Sequence, residues 1–307
     1  MKFDDMQKNN TRSITGKTPS LLSSPVSRVI CAVSAAILTV LISLSSVSAE
    51  YSPIQSPARP FGLDIVDGVQ LAGSDARSSV FQSNYLPLMN QWGDMDLTSP
   101  SFTDLTSTIA LDPSMISIAT QYDARVYFIG DNTWKHNSLG FNTTGSGITG
   151  GNPLLIFPDA SESTALTMDK ITKKKVLTRT STDPLLPGDF VSLGTLTSGA
   201  TLDFFLISER TKRIDDVFSA DASINPDGIS HAVAFAMPGS PYLFIGFEDM
   251  YGETGGGSNS VLFALDIGAG NIHALTNMPE PSTMLVLGSF LSLVIYRKRT
   301  LDLQRKS

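Results

Sequence analysis

Apolar residues recur at two different rhythms along this chain, and they separate the two ends from the middle. From about residue 114 onward, runs of five to eight β-branched and aromatic residues stand between clusters of Gly, Pro, Asp and Asn. They cover 124–130, 153–157, 174–178, 189–193, 201–208, 230–237, 242–247 and 260–267, and each reads as a strand bounded by turns. Within them, Leu202, Phe204 and Leu206 fall on one face of a sheet, and Val233, Phe235 and Met237 do the same. The stretch 50–100 is less regular. Pro53, Pro57, Pro60 and Pro87 interrupt any long helix, leaving one short helical turn near 80–86 and a linker or edge over 86–97. Eight or more strands without a long amphipathic helix predict an all-β body, a β-sandwich or jelly-roll-like fold.

The ends carry longer apolar runs. Lys2, Lys8, Arg12, Lys17 and Arg28 precede the run 29–44, which is followed by Val47-Ser48-Ala49. A positive segment, a short apolar stretch and a small-residue exit are the parts of a secretory signal peptide. They place cleavage by signal peptidase between Ala49 and Glu50. Cys31, the single cysteine, lies inside that run after Ile30, which does not suit lipidation. Its loss on cleavage leaves a body with no disulfide, held by its core alone. At the other end, Pro279-Glu280-Pro281-Ser282 leads into an apolar run ending at Tyr296, and Arg297-Lys298-Arg299 closes it. The 283–296 segment is about 21 Å long as a helix. That is short for a bilayer, with the cations on the cytoplasmic side.

This order of parts resembles the PEP-CTERM sorting signal of Gram-negative bacteria. The resemblance rests on Pro279, Glu280, Pro281, the apolar run and Arg297, Lys298 and Arg299. It implies transient residence in the inner membrane and handling by exosortase, a membrane-embedded cysteine transpeptidase, near the Pro-Glu-Pro motif. The tail 300–307 is longer than is usual in that family. The predicted organisation is a signal peptide over 1–49, an irregular N-terminal part of the body over 50–119, a β-sandwich domain over 120–268, a linker over 269–278, and a sorting signal over 279–299 that contains a transmembrane helix at 283–296.

A second resemblance covers about 120–268. The segments RVYFIGDNTWKHNSLGFNTTG from Arg125, GDFVSLGTLTSGATLDFFLIS from Gly188 and YLFIGFEDMYGETGGGSNSVLFALDI from Tyr242 are similar to exported bacterial proteins bearing domain of unknown function 4114. In that family a strand ends in Gly-Phe-Glu-Asp, an acidic loop follows, and calcium is the expected cation. Here Gly246-Phe247-Glu248-Asp249 matches, while the loop reads Gly-Gly-Gly-Ser-Asn-Ser over 255–260 and retains Asn259. The resemblance thus implies a calcium site drawn from Glu248, Asp249 and Asn259. Calcium takes six to eight oxygens, so backbone carbonyls of the glycine loop would complete it. The same Glu248 and Asp249 also suit a tight turn in which they accept backbone N–H groups.

Charge narrows the range of partners. The formal net charge is −7, but 12 basic and 26 acidic residues fall within 50–281, giving 12 − 26 = −14 for that segment. No basic footprint for nucleic acid is present. An acidic exported body suits a cation-rich matrix, and extracellular polysaccharide is a candidate partner. His136, His231 and His273 are too scattered for zinc, and no Gly-x-Ser-x-Gly elbow or P-loop occurs. A Ser-His-Asp set assembled only in space stays open. Lys173-Lys174-Lys175 reads as a solvated strand edge. Trp92, Trp134 and Tyr127 are sugar-stacking candidates that could equally belong to the core. The expected role is binding or structural rather than catalytic, as an envelope or matrix protein. The alternative is a secreted carbohydrate-binding or carbohydrate-active protein of the exopolysaccharide matrix.

Overall fold

The computed structural model describes residues 54–144, 147–210, 216–252 and 259–277. Strands in antiparallel sheets dominate these residues and helices are few, in line with the all-β expectation. The signal peptide, the Ala49/Glu50 junction, the sorting signal and the 283–296 helix lie outside the described residues. Among the described residues, no helix is long and apolar enough to cross a membrane.

A six-stranded sheet runs β1 (Ile109–Leu111), β10 (Ala232–Ala236), β11 (Tyr242–Phe247), β12 (Val261–Asp266), β2 (Tyr122–Gly130), β7 (Phe190–Leu196). A four-stranded sheet runs β4 (Leu154–Phe157), β3 (Ser138–Asn142), β8 (Asp203–Ile207), β9 (Val217–Ser219). A separate hairpin pairs β5 (Leu166–Met168) with β6 (Lys175–Leu177). The two larger sheets share a core. Phe204 of β8 meets Phe263 of β12 at 5.2 Å between ring centres, and Phe128 of β2 meets Phe157 of β4 at 5.9 Å. Leu202, Phe204 and Leu206 all enter this core, as their spacing predicts. Their neighbours Phe205 and Ile207 point the other way, under Leu63, Ile65 and Ile148.

The six-stranded sheet is apolar on both faces because a helical layer covers the outer one. On β10, Ala232, Ala234 and Ala236 face the shared core, whereas Val233, Phe235 and Met237 share the opposite face. There they meet α1 (Ala76–Asn84), α2 (Leu86–Gly93) and α3 (Phe102–Thr106). Phe81 stacks on Tyr127 at 4.1 Å, Trp92 meets Phe244 edge-on at 5.5 Å, and Phe102 meets Phe235 at 4.4 Å. Each such side chain contributes about 1.5–3 kcal/mol by leaving water. Trp92 and Tyr127 are therefore core residues, and of the three sugar-stacking candidates Trp134 alone is exposed.

These helices correct the expectation of a single turn near 80–86 followed by a linker or edge. Asp75 caps α1, accepting from Ser78 N while the Ser78 hydroxyl accepts from Asp75 N. Pro87 occupies the first turn of α2, where its missing N–H costs nothing. Arg77 then ties α1 to the sheet, donating to Asp266 Oδ2 at 2.7 Å and to the Asp123 carbonyl at 2.8 Å. The segment 50–119 is accordingly part of the same body, since its β1 also pairs with β10.

The stretch expected to be a linker over 269–278 instead forms α4 (Ala269–Thr276), whose Ile272 and Leu275 enter the shared core. The chain enters α4 through Gly268 at φ +83°, where a Cβ would come within 2.5 Å of the Tyr122 ring. His273 is exposed on this helix.

Candidate functional site

The Gly130 end of β2, the Gly93 end of α2, the start of β12 and the segment before β5 converge on one corner. Between them lies a cleft of about 250 Å³ lined by Asn90, Gly93, Asp94, Gly130, Asn132, Glu162 and Leu262. Two close approaches shape it. A Cβ on Gly93 would stand 2.8 Å from Leu262 Cδ1, and one on Gly130 would stand 3.2 Å from Glu162 Oε2. The Gly93 carbonyl accepts from the side-chain amides of Asn132 at 3.3 Å and Asn259 at 3.4 Å. These amides hold the helix end against the two strands.

Two carboxyl groups here are shifted toward their neutral forms. Asp131, just past β2, is pushed up to about 7. Desolvation is the main cause, and the neighbouring Asp249 and Glu162 charges add to it, against an N–H from Thr133 at 3.0 Å. Burial also raises Glu162, which is partly offset by the Asp131 N–H. Each of the two therefore faces the other's backbone N–H. Raised carboxyls beside a cleft are a recurrent property of binding and catalytic sites. Trp134 lies two residues beyond Asn132 on the same loop and is 82% exposed. The corner can offer amide donors and acceptors and carboxyls that burial shifts toward their neutral forms, and the exposed Trp134 ring follows on the same loop. That set suits a hydroxyl-rich ligand.

The three residues of the calcium expectation are close in sequence but bonded separately. Glu248 Oε1 accepts from Asp249 N and the Ser260 hydroxyl, both at 3.0 Å. Asp249 accepts from Lys135 Nζ at 3.2 Å and from Asn137 Nδ2 at 2.8 Å. Lys135 thus sets an ammonium where a cation would otherwise balance Asp249. Asn259 points its amide at the Gly93 carbonyl instead. Among the described residues, no group of three or more His, Cys, Asp or Glu side chains is placed to hold a metal ion.

The histidines are similarly resolved. His136 Nδ1 lies 3.0 Å from Ser161 Oγ and 3.4 Å from Asp159 Oδ2, and the serine donates to Asp159 Oδ1 at 2.6 Å. Serine and acid both reach the same ring nitrogen. A relay needs them on opposite nitrogens, so this trio is not a triad. His231 is fully buried, stacked on Phe218 at 4.1 Å, with Nε2 2.9 Å from Asp227.

A larger cleft of about 310 Å³ lies beside Gln55, Ser56 and Arg179. Its cation is already held by both oxygens of Asp189, so it offers less chemistry than the smaller one. The sequence did not single out Asp131, Glu162, Asn90 or Asn132. The usable signal was Gly130-Asp131-Asn132, a polar step at the end of the apolar strand β2. No family model matches the chain, and neither a curated protein nor a solved structure matches it.

Proposed function

We propose that this chain is an exported, exosortase-sorted protein of the cell envelope or extracellular matrix, with a binding or structural role. What carries the reading is the order of parts. A signal-peptide pattern precedes the body, and the body's last helix, α4, ends at Thr276, three residues before Pro279 opens the sorting motif. A β-sandwich of jelly-roll type, drawn from the two facing sheets, fits a protein that must stay folded outside the cytoplasm without a disulfide. The −14 charge of segment 50–281 favours solubility in a cation-rich matrix. Cell fractionation with intact-mass analysis of the native protein tests this. The expected mature chain begins at Glu50 and is cut near Pro279–Pro281, and without exosortase it stays uncut in the inner membrane. An identical mass and fraction in both strains overturns the sorting step.

The cleft beside Glu162 favours a second reading, a carbohydrate-binding or carbohydrate-active protein of the exopolysaccharide matrix. Asn90, Asn132 and Glu162 would bond sugar hydroxyls, and Trp134 would cover a ring face.

A further inference from the structure

The β5–β6 hairpin brings exposed apolar side chains and lysines together. Leu166 pairs with Leu177, Thr167 with Val176 and Met168 with Lys175, and all six residues are exposed. Neither face of this two-stranded ribbon rests on the body. At its tip, Ile171 is 91% exposed; Met168 beside the turn is 57% exposed, and Leu166 at the base 59%. Lys170, Lys173, Lys174 and Lys175 surround that tip, four of the 12 basic residues in 50–281.

Four cations elsewhere among the described residues are held in ion pairs, and Arg59 donates to the Ser56 and Ala58 carbonyls. Arg77 pairs with Asp266, Arg125 with Asp75, Lys135 with Asp249 and Arg179 with Asp189. The four hairpin lysines form no ion pair among the described residues. The hairpin's one acid, Asp169, is used as a latch, accepting the N–H groups of Ile171 and Thr172. From 166 to 177 the net charge is therefore 4 − 1 = +3 on a segment that totals −14.

We propose that this hairpin is a contact for an anionic membrane surface. An exposed aliphatic tip ringed by lysines matches the two layers of such a surface, acyl chains below and phosphates above. The lysine stems can lie along the apolar region while their ammonium groups stay at headgroup level. A soluble anionic polymer would satisfy the lysines but leave Ile171, Leu166 and Met168 in water. The charge of the remaining body has the opposite sign, so the bilayer repels it and attracts the hairpin, which fixes the approach tip-first. This inference is independent of the sorting signal and of the cleft.

The test uses the full chain carrying Cys31→Ser and Thr172→Cys, labelled at 172 with an environment-sensitive fluorophore. The label reports the hairpin tip whether or not other segments insert. Vesicles of phosphatidylcholine with phosphatidylglycerol should shift its emission to the blue, and brominated lipid should quench it. Vesicles of phosphatidylcholine alone should do neither. Replacing Lys170, Lys173, Lys174 and Lys175 with Gln should weaken the response by about fivefold per lysine, and Ile171→Ser should abolish quenching. The melting temperature should be unchanged in both variants, because these side chains touch nothing in the body. An unresponsive label, or equal responses to both vesicles, overturns the proposal. So does a blue shift without vesicles that grows with protein concentration, which would identify a second copy as the occupant.

Discussion

Replacing Asp131 with Asn isolates the most perturbed acid of the candidate site. In the folded protein this carboxyl titrates at about 7, against an ordinary value of 3.8. Its folded pKa is raised, so between those two values the folded state holds a proton that the unfolded state has lost. The folded state therefore loses stability as pH rises through that window, at up to about 1.4 kcal/mol per pH unit. The whole window spans about 3 × 1.4, or about 4 kcal/mol, which is a ceiling because the group is partly open to water. Asn keeps an oxygen for the Thr133 N–H and never ionises. Urea unfolding at pH 5 and pH 8 should show the variant more stable than wild type at both, by at most about 1.6 kcal/mol at the lower pH and by about 2–3 kcal/mol more at the higher. Burial raises Asp203 and Asp266 as well, with the same sign, and they cancel in the difference; Glu162, also raised by burial, loses the repelling Asp131 charge in the variant, which adds to the variant's advantage at the higher pH. Asp75 is lowered to about 2, chiefly by its bond to Arg125, and its stabilising contribution is lost only as pH falls below about 4. A stability difference between variant and wild type that is equal at both pH values would refute the assignment of a raised pKa to Asp131.

Two further outcomes are expected. Trp134→Ala should abolish any saccharide binding found in a glycan screen while leaving the melting temperature unchanged, because the ring is almost wholly exposed; binding that survives the substitution places the ligand elsewhere. Calcium and magnesium at millimolar concentration should shift the melting temperature equally, because Lys135 and Ser260 already satisfy Asp249 and Glu248. A calcium-selective rise that disappears in Glu248→Gln with Asp249→Asn would instead establish a cation site there.

The sheets were legible where one period dominated. The shared face of Leu202, Phe204 and Leu206 followed from alternation alone, and Tyr242–Phe247 was bounded as predicted. The helical layer was not legible, for a reason visible in its packing. Phe81, Leu86, Met89 and Trp92 keep a rough helical spacing, but Pro87 falls among them and reads as a break unless the helix is known to restart there. Short strands such as Val217–Ser219 carry too few residues to show a period at all. Of the lysine run at 173–175, read as a strand edge, only Lys175 lies in a strand, and the sequence could not show that Leu166 and Met168 also lack a covering layer.

The candidate cleft was illegible for a different reason: no local pattern encodes it. Its lining comes from α2, the end of β2, the segment before β5 and the start of β12, spanning residues 90 to 262. The two glycines show how these pieces can share one corner. Gly93 lets the end of α2 approach Leu262, and Gly130 lets β2 pass beside the Glu162 carboxylate. Both sit at element ends, where sequence reading treats glycine as a terminator. Here the missing Cβ also makes room for a neighbour, and that neighbour is fixed by sheet order rather than by sequence distance. Glu162 beside Gly130 and Asp131 next to it in sequence are both desolvated at this corner. The close approach of backbone that forms the cleft and the raised carboxyls that give it chemistry therefore meet at the Gly130 end of β2.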